Sequence, residues 1–188
     1  MISEDVLETD RLVLRTLMPE DVGQTYLDWM NDVEVTRYLE SRLVVQSVES
    51  LRAFVETSVA SPSAVLFGVF AKDGDRHIGN VRFSEFNPYH LSCSVGLLIG
   101  ERAAWGKGYG QESLRAATDH ILYERGMHAI HAGSYSGNPA SLRTFVNCGF
   151  EIIGRFRQMV AAGGRWHDKV MMLRLNEAVA APEEPILD

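Results

Sequence analysis

Residues 94–111 read SVGLLIGERAAWGKGYGQ, and this stretch decides the fold. Its first part is apolar and predicts a strand that ends near Ile99, whereas Gly110 opens a segment with apolar residues at helical spacing. Between them, Gly106, Gly108 and Gly110 stand at alternate positions. Glycine lets the backbone approach a ligand closely, and the first turn of a helix presents unpaired N–H groups. The stretch predicts an anion cradle, with a glycine connection needed only for tight packing as the alternative.

Two common phosphate motifs do not fit these residues. A dinucleotide-binding fingerprint requires a third glycine where Gln111 stands, and Tyr109 follows the Gly-Lys-Gly run where a P-loop would need a Lys-Ser or Lys-Thr pair. Dehydrogenase, kinase and NTPase functions are therefore disfavoured.

Outward from this stretch, short strands alternate with helices. Helices are predicted at 19–30, after an N-cap at Ser47, at 110–123 and at 140–147. Strands are predicted at 11–15, 65–71, 77–85, 92–99, 129–135, 151–160 and 169–175. This order predicts one α/β (α+β) domain over residues 1–176, a mixed sheet with helices on both faces. Residues 177–188 are small, acidic and Pro-containing, which predicts a flexible tail.

Composition excludes several classes of function. The chain has 188 residues, 46% of them hydrophobic, and a net charge of -7. Such an acidic chain lacks the basic footprint of a nucleic-acid-binding protein, and no apolar run approaches membrane-spanning length. Cys93 and Cys148 are too few for a disulfide framework or a cysteine zinc site, so no metal site is predicted and the cytoplasm is the expected location.

Three ordered motifs resemble the GNAT superfamily of N-acetyltransferases. Residues 94–100 with 105–113 are similar to its central motif, and 138–143 with 148–150 are similar to the next one. Residues 8–15 resemble the branch that includes ribosomal-protein N-terminal acetyltransferases. One departure is Trp105, which stands where the family loop usually begins with Arg or Gln. The resemblance implies a mostly antiparallel sheet that is splayed between its fourth and fifth strands.

The resemblance also implies the cofactor and its contacts. Acetyl-CoA would pair with the strand that ends at Ile99, place its pyrophosphate on the glycine loop, and react directly with a neutral amine, without an acyl-enzyme. The implied cofactor-binding residues are Leu97, Leu98, Ile99, Trp105, Gly106, Lys107, Gly108, Tyr109, Gly110, Gln111, Asn138, Ser141 and Phe145. A backbone N–H of Leu98 or Ile99 would polarise the thioester carbonyl.

Glu85 and Ser141 are the predicted catalytic residues. Glu85 could accept the amine proton from the end of its strand, with His90 as another candidate; an exposed strand-end acid is the alternative. Many family members have a tyrosine acid where Phe145 stands, so Ser141 is the nearest substitute, with capping or packing as its alternative. Asn138 is either a cofactor contact or a turn residue before Pro139.

The sequence predicts the acceptor less narrowly than the cofactor. Residues 29–42 and the late strands resemble amino-sugar acetyltransferases, which favours a small-molecule amine such as one on a nucleotide-linked sugar. A peptide N-terminus is the rival acceptor, and a non-catalytic CoA-binding module is the alternative from another class. The predicted substrate contacts are Trp29, Tyr38, Glu85 and His167, although Trp29 could equally be core and His167 could be satisfied within its strand. Homodimers are frequent in this family, but no interface signal is visible in the sequence.

Overall fold

The computed structural model describes residues 5–183, which form one eight-stranded sheet with helices on both faces. The strands are β1 (Val6–Glu8), β2 (Leu12–Thr16), β3 (Ala64–Ala71), β4 (Arg76–Asn87), β5 (Ser92–Ile99), β6 (Ala129–Tyr135), β7 (Glu151–Ala162) and β8 (Arg165–Leu175). Their spatial order is β1-β2-β3-β4-β5-β6-β8-β7, and only β5 and β6 run parallel to each other. The predicted mixed, mostly antiparallel sheet is confirmed.

The helices are α1 (Gln24–Asn31), α2 (Val33–Thr36), α3 (Val48–Ala60), α4 (Tyr109–Asp119) and α5 (Pro139–Asn147). Ser47 caps α3 as predicted, because its side chain accepts a hydrogen bond from the backbone N–H of Ser50. The single helix predicted at 19–30 is wrong: Pro19–Asp21 forms one 3-10 turn, and α1 starts afresh after the extended residue Gly23. The sequence prediction also omitted β1 and α2.

The helix predicted at 110–123 is divided as well. Regular α4 ends at Asp119, and His120–Glu124 continues as a π-helical turn. Gly126 then reverses the chain at φ +69°, which agrees with the predicted helix stop.

Two buried clusters cover the two faces of the sheet. The larger one packs α4 and α5 against one face, with Phe83, Val95 and Leu114 at its centre. The smaller one packs α1 and α3 against the other face, with Trp29, Val55 and Leu66 inside. Strands β3 and β5 therefore present alternate residues to α4 and α5 on one face and to α1 and α3 on the other.

Asn176 anchors the chain directly after β8. Its backbone N–H donates to the carbonyl of His128 at 2.7 Å, and its buried Nδ2 donates to the carbonyl of Leu122 at 2.9 Å. The predicted tail at 177–188 begins directly after this anchor, and its residues 184–188 lie outside the described range. Within residues 5–183 no helix combines the length and apolar character needed to span a bilayer.

Candidate active site

The sheet opens between β5 and β6. These strands pair only over Ser92–Ser94 and Ala129–His131, and beyond that point each continues without the other. The expected splay between the fourth and fifth predicted strands, which are β5 and β6, is therefore present.

Backbone alternation determines which groups of β5 face the opening. The N–H of Gly100 donates to Ile78 on the β4 side, whereas the carbonyl of Leu91 accepts from His128 on the β6 side. In an antiparallel pair, orientation alternates residue by residue. The peptide groups of Leu97 and Ile99 consequently face the opening, whereas those of Leu98 face β4. Of the two predicted carbonyl-polarising donors, only Ile99 has its N–H on the correct side.

The glycine loop continues directly from this strand. The indole Nε1 of Trp105 donates to the Ile99 carbonyl at 2.7 Å, which ties the loop to the end of β5. Gly106 and Gly108 then take φ values of +73° and +83°, a left-handed conformation that side chains disfavour. Among the described residues, the backbone N–H groups from Gly106 to Gln111 have no hydrogen-bond acceptor. Six consecutive unpaired donors at a helix N-terminus are an arrangement suited to binding an anion.

A brace from the turn between β1 and β2 holds the loop in place. The guanidinium of Arg11 donates to the Lys107 carbonyl at 2.9 Å and through Nε to Glu112 at 2.7 Å, and it lies 4.5 Å from the ring centroid of Tyr109. The Thr9 hydroxyl also donates to Glu112, at 2.6 Å. Burial acts to raise the pKa of Glu112, but hydrogen bonds from Thr9 and Arg11 outweigh it, so the net pKa is lowered.

Helix α4 lies close against β5. A Cβ on Gly110 would sit 3.4 Å from side-chain atoms of both Leu97 and Ile99, and 4.0 Å from Thr144 of α5. The start of α4, the cofactor-facing strand and α5 thus meet at one point, which brings the predicted cofactor residues together.

The predicted residues of α5 divide into two groups. Asn138 is the N-cap, and its Oδ1 accepts a hydrogen bond from the Ser141 backbone N–H at 3.1 Å. The Ser141 side chain is half-buried, and its hydroxyl has no hydrogen-bond partner within residues 5–183. Phe145 is only 3% exposed and packs edge-on against Phe150 at 5.0 Å, so it belongs to the core beneath the site.

Both cysteines are buried and have raised pKa values. Burial raises the pKa of Cys93 to about 12 and that of Cys148 to about 11. A thiol in this state is a poor nucleophile near neutral pH, which agrees with direct transfer rather than an acyl-cysteine.

An open cavity of about 530 Å³ lies on the outer side of the loop and touches Gly108 and Gln111. Its charged lining consists of Asp10, Arg11, Glu112, Arg115 and Asp119. Three carboxylates against two guanidinium groups do not suit a phosphate, so this cavity is not the anion site.

The opposite face of the opening carries polar side chains. Ser84, Ser94 and His131 occupy neighbouring positions on β4, β5 and β6, and the two serine hydroxyls are 2.9 Å apart. The Glu85 carboxylate lies 3.7 Å from His131 Nε2 and is 71% exposed. Glu85 has φ +59° at a β-bulge, while Leu91 has φ +48° across the same turn. This row lies where the β5–β6 pairing ends.

A second group of side chains crosses the open end of the splay from residues 33–43. The Tyr38 hydroxyl donates to the Gly137 carbonyl at 2.5 Å, and Arg42 donates to the Ala161 carbonyl at 2.6 Å. The Tyr135 hydroxyl donates to Glu40, and the His167 ring lies edge-on to Tyr38 at 6.3 Å. We call residues 33–43 the bridging segment.

The family is decided by a direct comparison. The model of the Acetyltransferase (GNAT) domain matches residues 11–151 of the chain. The chain belongs to the GNAT acetyltransferase family. The predicted family is thereby confirmed, as is the enzyme class, an acetyl-CoA-dependent N-acyltransferase.

Individual relatives agree with this GNAT assignment. The uncharacterized N-acetyltransferase YoaA of Bacillus subtilis is 28% identical over 169 residues, which cover 87% of this chain and 92% of that protein. The structure of RimL, a ribosomal L7/L12 alpha-N-protein acetyltransferase in complex with coenzyme A, superposes with a TM-score of 0.83 at 20% identity, over 93% and 99% of the two chains. The structure of the spermidine N-acetyltransferase of Vibrio cholerae, in complex with CoA and spermine, superposes with a TM-score of 0.79 at 22% identity. The match covers 89% of this chain and 96% of that one.

This GNAT chain fits its cofactor at two places. The unpaired amides at Gly106–Gln111 suit a pyrophosphate, and the peptide groups of Leu97 with the N–H of Ile99, which have no β6 partner, suit an extended arm that contains amides. When bound, acetyl-CoA supplies the acetyl group as an activated thioester.

The structure changes the expected set of acceptor residues at two positions, Trp29 and His131. Trp29 is 6% exposed and packs where a side chain on Gly100 would be, 2.1 Å from the position of a Cβ. The indole therefore supports the cofactor strand from below, and we leave it out of the proposed acceptor site. His131 was not predicted; its only sequence signal is an imidazole between Ile130 and Ala132 in a mostly apolar strand.

Proposed function

We propose that this protein transfers the acetyl group of acetyl-CoA to a primary amine of a small molecule. The observation that carries the proposal is the arrangement around one opening in the sheet. Backbone donors at Ile99 and the glycine loop lie toward α4, and the Glu85–His131 pair lies on the face toward α1 and α3. Two reactants that approach from opposite sides would meet in the splay, and such positioning supplies a large part of the rate.

Each residue has a distinct part in this proposal. The Ile99 N–H stabilises the oxyanion that forms on the acetyl carbonyl during attack. Glu85 takes the proton that the amine loses, either directly or through one water, and His131 lies beside it at 3.7 Å. The Ser141 hydroxyl, unpartnered at the start of α5, is the proposed proton donor to the leaving thiolate.

The bridging segment supports a small acceptor rather than a polypeptide. Its contacts from Tyr38 to Gly137 and from Arg42 to Ala161 close the end of the splay through which a peptide would have to extend. Tyr38 and His167 stand at this closed end, where they would contact the acceptor. A primary amine on a nucleotide-linked sugar is one acceptor of this kind.

We place the catalytic domain at residues 1–176.

Acetyl-CoA-dependent thiol release, measured with panels of amino acids, amino sugars, polyamines and peptides, tests this proposal. We expect turnover with a small amine and none with peptides, with the acetylated product confirmed by mass spectrometry. Turnover confined to peptides would make the protein an N-terminal acetyltransferase. Tight CoA binding without turnover on any amine would make it a non-catalytic CoA-binding module.

A further inference from the structure

Two buried donors lack partners on the acceptor face. In residues 5–183, Asn80 Nδ2 and Arg82 Nε are the buried side-chain polar atoms without a hydrogen-bond partner. They lie two residues apart on β4, on the face that packs against α1 and α3. A buried donor without an acceptor is costly. Asn80 has the Tyr26 hydroxyl beside it, so the unpartnered Nε of Arg82 is the donor that indicates an oxygen-rich group.

Arg82 differs from the arginines that hold the fold together. Arg11, Arg15 and Arg174 each contact a carboxylate, whereas within the described range no carboxylate lies within 4.0 Å of Arg82. Its guanidinium lies 5.3 Å from the Phe54 ring of α3. Only Nε is both buried and unpartnered, so the outer nitrogens remain accessible. A half-buried, unneutralised guanidinium favours an anion.

The surroundings of Arg82 place this charge within the acceptor region. Burial raises the pKa of Tyr26 to about 12, and the Arg82 charge opposes this rise, which locates the guanidinium near the Tyr26 hydroxyl. A side-chain hydrogen bond from Asn80 also opposes the rise in the pKa of Tyr26, so the Tyr26 hydroxyl is the neighbour of Asn80 within the core, although the geometry of Nδ2 is not ideal.

There is open space directly beside Arg82. Its neighbour across the sheet is Gly96 of β5, and no atom lies within 4 Å of the position that a Cβ on Gly96 would take. The row that contains Ser84 and His131 is two residues further along the strands, roughly 7 Å away. A small molecule above Gly96 would therefore reach Arg82 with one end and the Glu85–His131 pair with the other.

We propose that Arg82 binds the carboxylate of the acceptor, and that the acceptor is an amino acid whose primary amine lies close to that carboxylate. This inference rests on the proposed function, because it assigns the acceptor class of the same site. The fork of the guanidinium suits a carboxylate, and its charge disfavours polyamines. A nucleotide-linked amino sugar also carries an anionic group, its diphosphate, and must be distinguished by experiment.

The test compares three forms of one compound. Free L-amino acids are screened in the presence of CoA by saturation-transfer NMR and by thiol release with acetyl-CoA. The best one is then compared with its carboxamide and with its decarboxylated amine. We expect the acid to bind about tenfold or more tightly than either analogue, because each loses the charge-assisted hydrogen bonds. Equal binding of acid and carboxamide would overturn the proposal, as would binding of a nucleotide-linked amino sugar alone.

Variants assign the effect to Arg82. Arg82→Gln should raise the Kd and the KM of the amino acid about tenfold or more, should leave those of the carboxamide unchanged, and should leave the Kd of CoA unchanged. Arg82→Lys should give Kd and KM values for the amino acid between those of the wild type and of Arg82→Gln, since lysine keeps the charge but lacks the forked guanidinium. Arg52→Gln, on the exposed side of α3, is the matched control and should change nothing. An unchanged preference for the acid in Arg82→Gln would refute the assignment.

A second variant covers the case in which Arg82→Gln fails to fold. Gly96→Val should fill the open space, because a Cβ at this position has no atom within 4 Å and valine is a residue that strands favour. It should weaken amino-acid binding while the Kd of CoA is retained; unaffected amino-acid binding would contradict the site. The NMR readout does not depend on turnover, so a failure of catalysis is distinguishable from a failure of carboxylate recognition.

Discussion

The proposed cofactor side of the splay is built from backbone, whereas the proposed acceptor side is built from side chains. On the first side the donors are the amides of Gly106–Gln111 and Ile99, and side chains such as Arg11 only hold them in position. On the second side the groups are side chains from two strands, Arg82 and Glu85 of β4 and His131 of β6. A site made of backbone requires little from side-chain identity beyond glycine, while a site made of side chains depends on register across the sheet. Substitutions should therefore affect the two sides separately.

The largest expected effect is on the acceptor side. Glu85→Gln removes the proposed proton acceptor, keeps a Cβ at the same φ, and should lower kcat about a hundredfold or more. The Kd of CoA should not change, because Glu85 lies across the sheet from the loop. Initial-rate kinetics and calorimetry measure both quantities, with Glu56→Gln on exposed α3 as the control. Wild-type kcat in Glu85→Gln would remove Glu85 from the mechanism.

A smaller effect is expected on the cofactor side from Trp105→Phe. This change deletes the 2.7 Å hydrogen bond to the Ile99 carbonyl and keeps an aromatic ring. A loss of about 1 kcal/mol, roughly fivefold in the Kd of CoA, should follow. Calorimetry of Trp105→Phe beside Trp166→Phe, an exposed tryptophan, measures it. A fall in the kcat of Trp105→Phe with an unchanged Kd for CoA would contradict the idea that substitutions affect the two sides separately.

The smallest effect is on stability and depends on pH. The lowered pKa of Glu112 means that its carboxylate stabilises the folded state above its unfolded pKa of about 4.3. This contribution is lost as pH falls through the still lower folded pKa. Glu112→Gln should thus reduce Tm by about 3 °C at pH 7, for a loss of about 1 kcal/mol. The difference between wild type and variant should vanish in acid; a difference that persists at pH 3 would show that the brace does not depend on charge.

The comparison also explains which parts could be predicted from sequence. Residues 94–111 could be predicted as a strand, a glycine loop and a helix start because their structure depends on local conformation. Glycines at alternate positions are a direct sequence signal of that conformation. Trp29 was ambiguous because an aromatic residue on a helix fits a pocket or a core equally well, and only its contact with Gly100 decides. Whether the N–H of Leu98 or that of Ile99 faces the opening depends on which residues of β5 are hydrogen-bonded to β4. No local sequence pattern reveals this.

Two residues of the proposed acceptor site, Arg82 and His131, escaped prediction for the same physical reason, whereas Glu85, Tyr38 and His167 were predicted. Arg82 and His131 are far apart in sequence, and each alone is an ordinary polar residue on an alternating strand. Their proximity follows from the register of β4, β5 and β6. The helix predicted at 19–30 failed for a local reason, since Gly23 interrupts it with an extended conformation.

The separation of a backbone cofactor site from a side-chain acceptor site is tested most directly by titrating CoA calorimetrically into Gly108→Pro. Proline cannot adopt the φ of +83° found at Gly108 and has no N–H to donate, so a loss of about 3 kcal/mol, roughly a hundredfold in Kd, is predicted. Circular dichroism and Tm establish that the variant is folded, and Glu85→Gln, titrated in parallel, should bind CoA like the wild type. A folded Gly108→Pro variant with wild-type CoA affinity would contradict the assignment of the glycine loop.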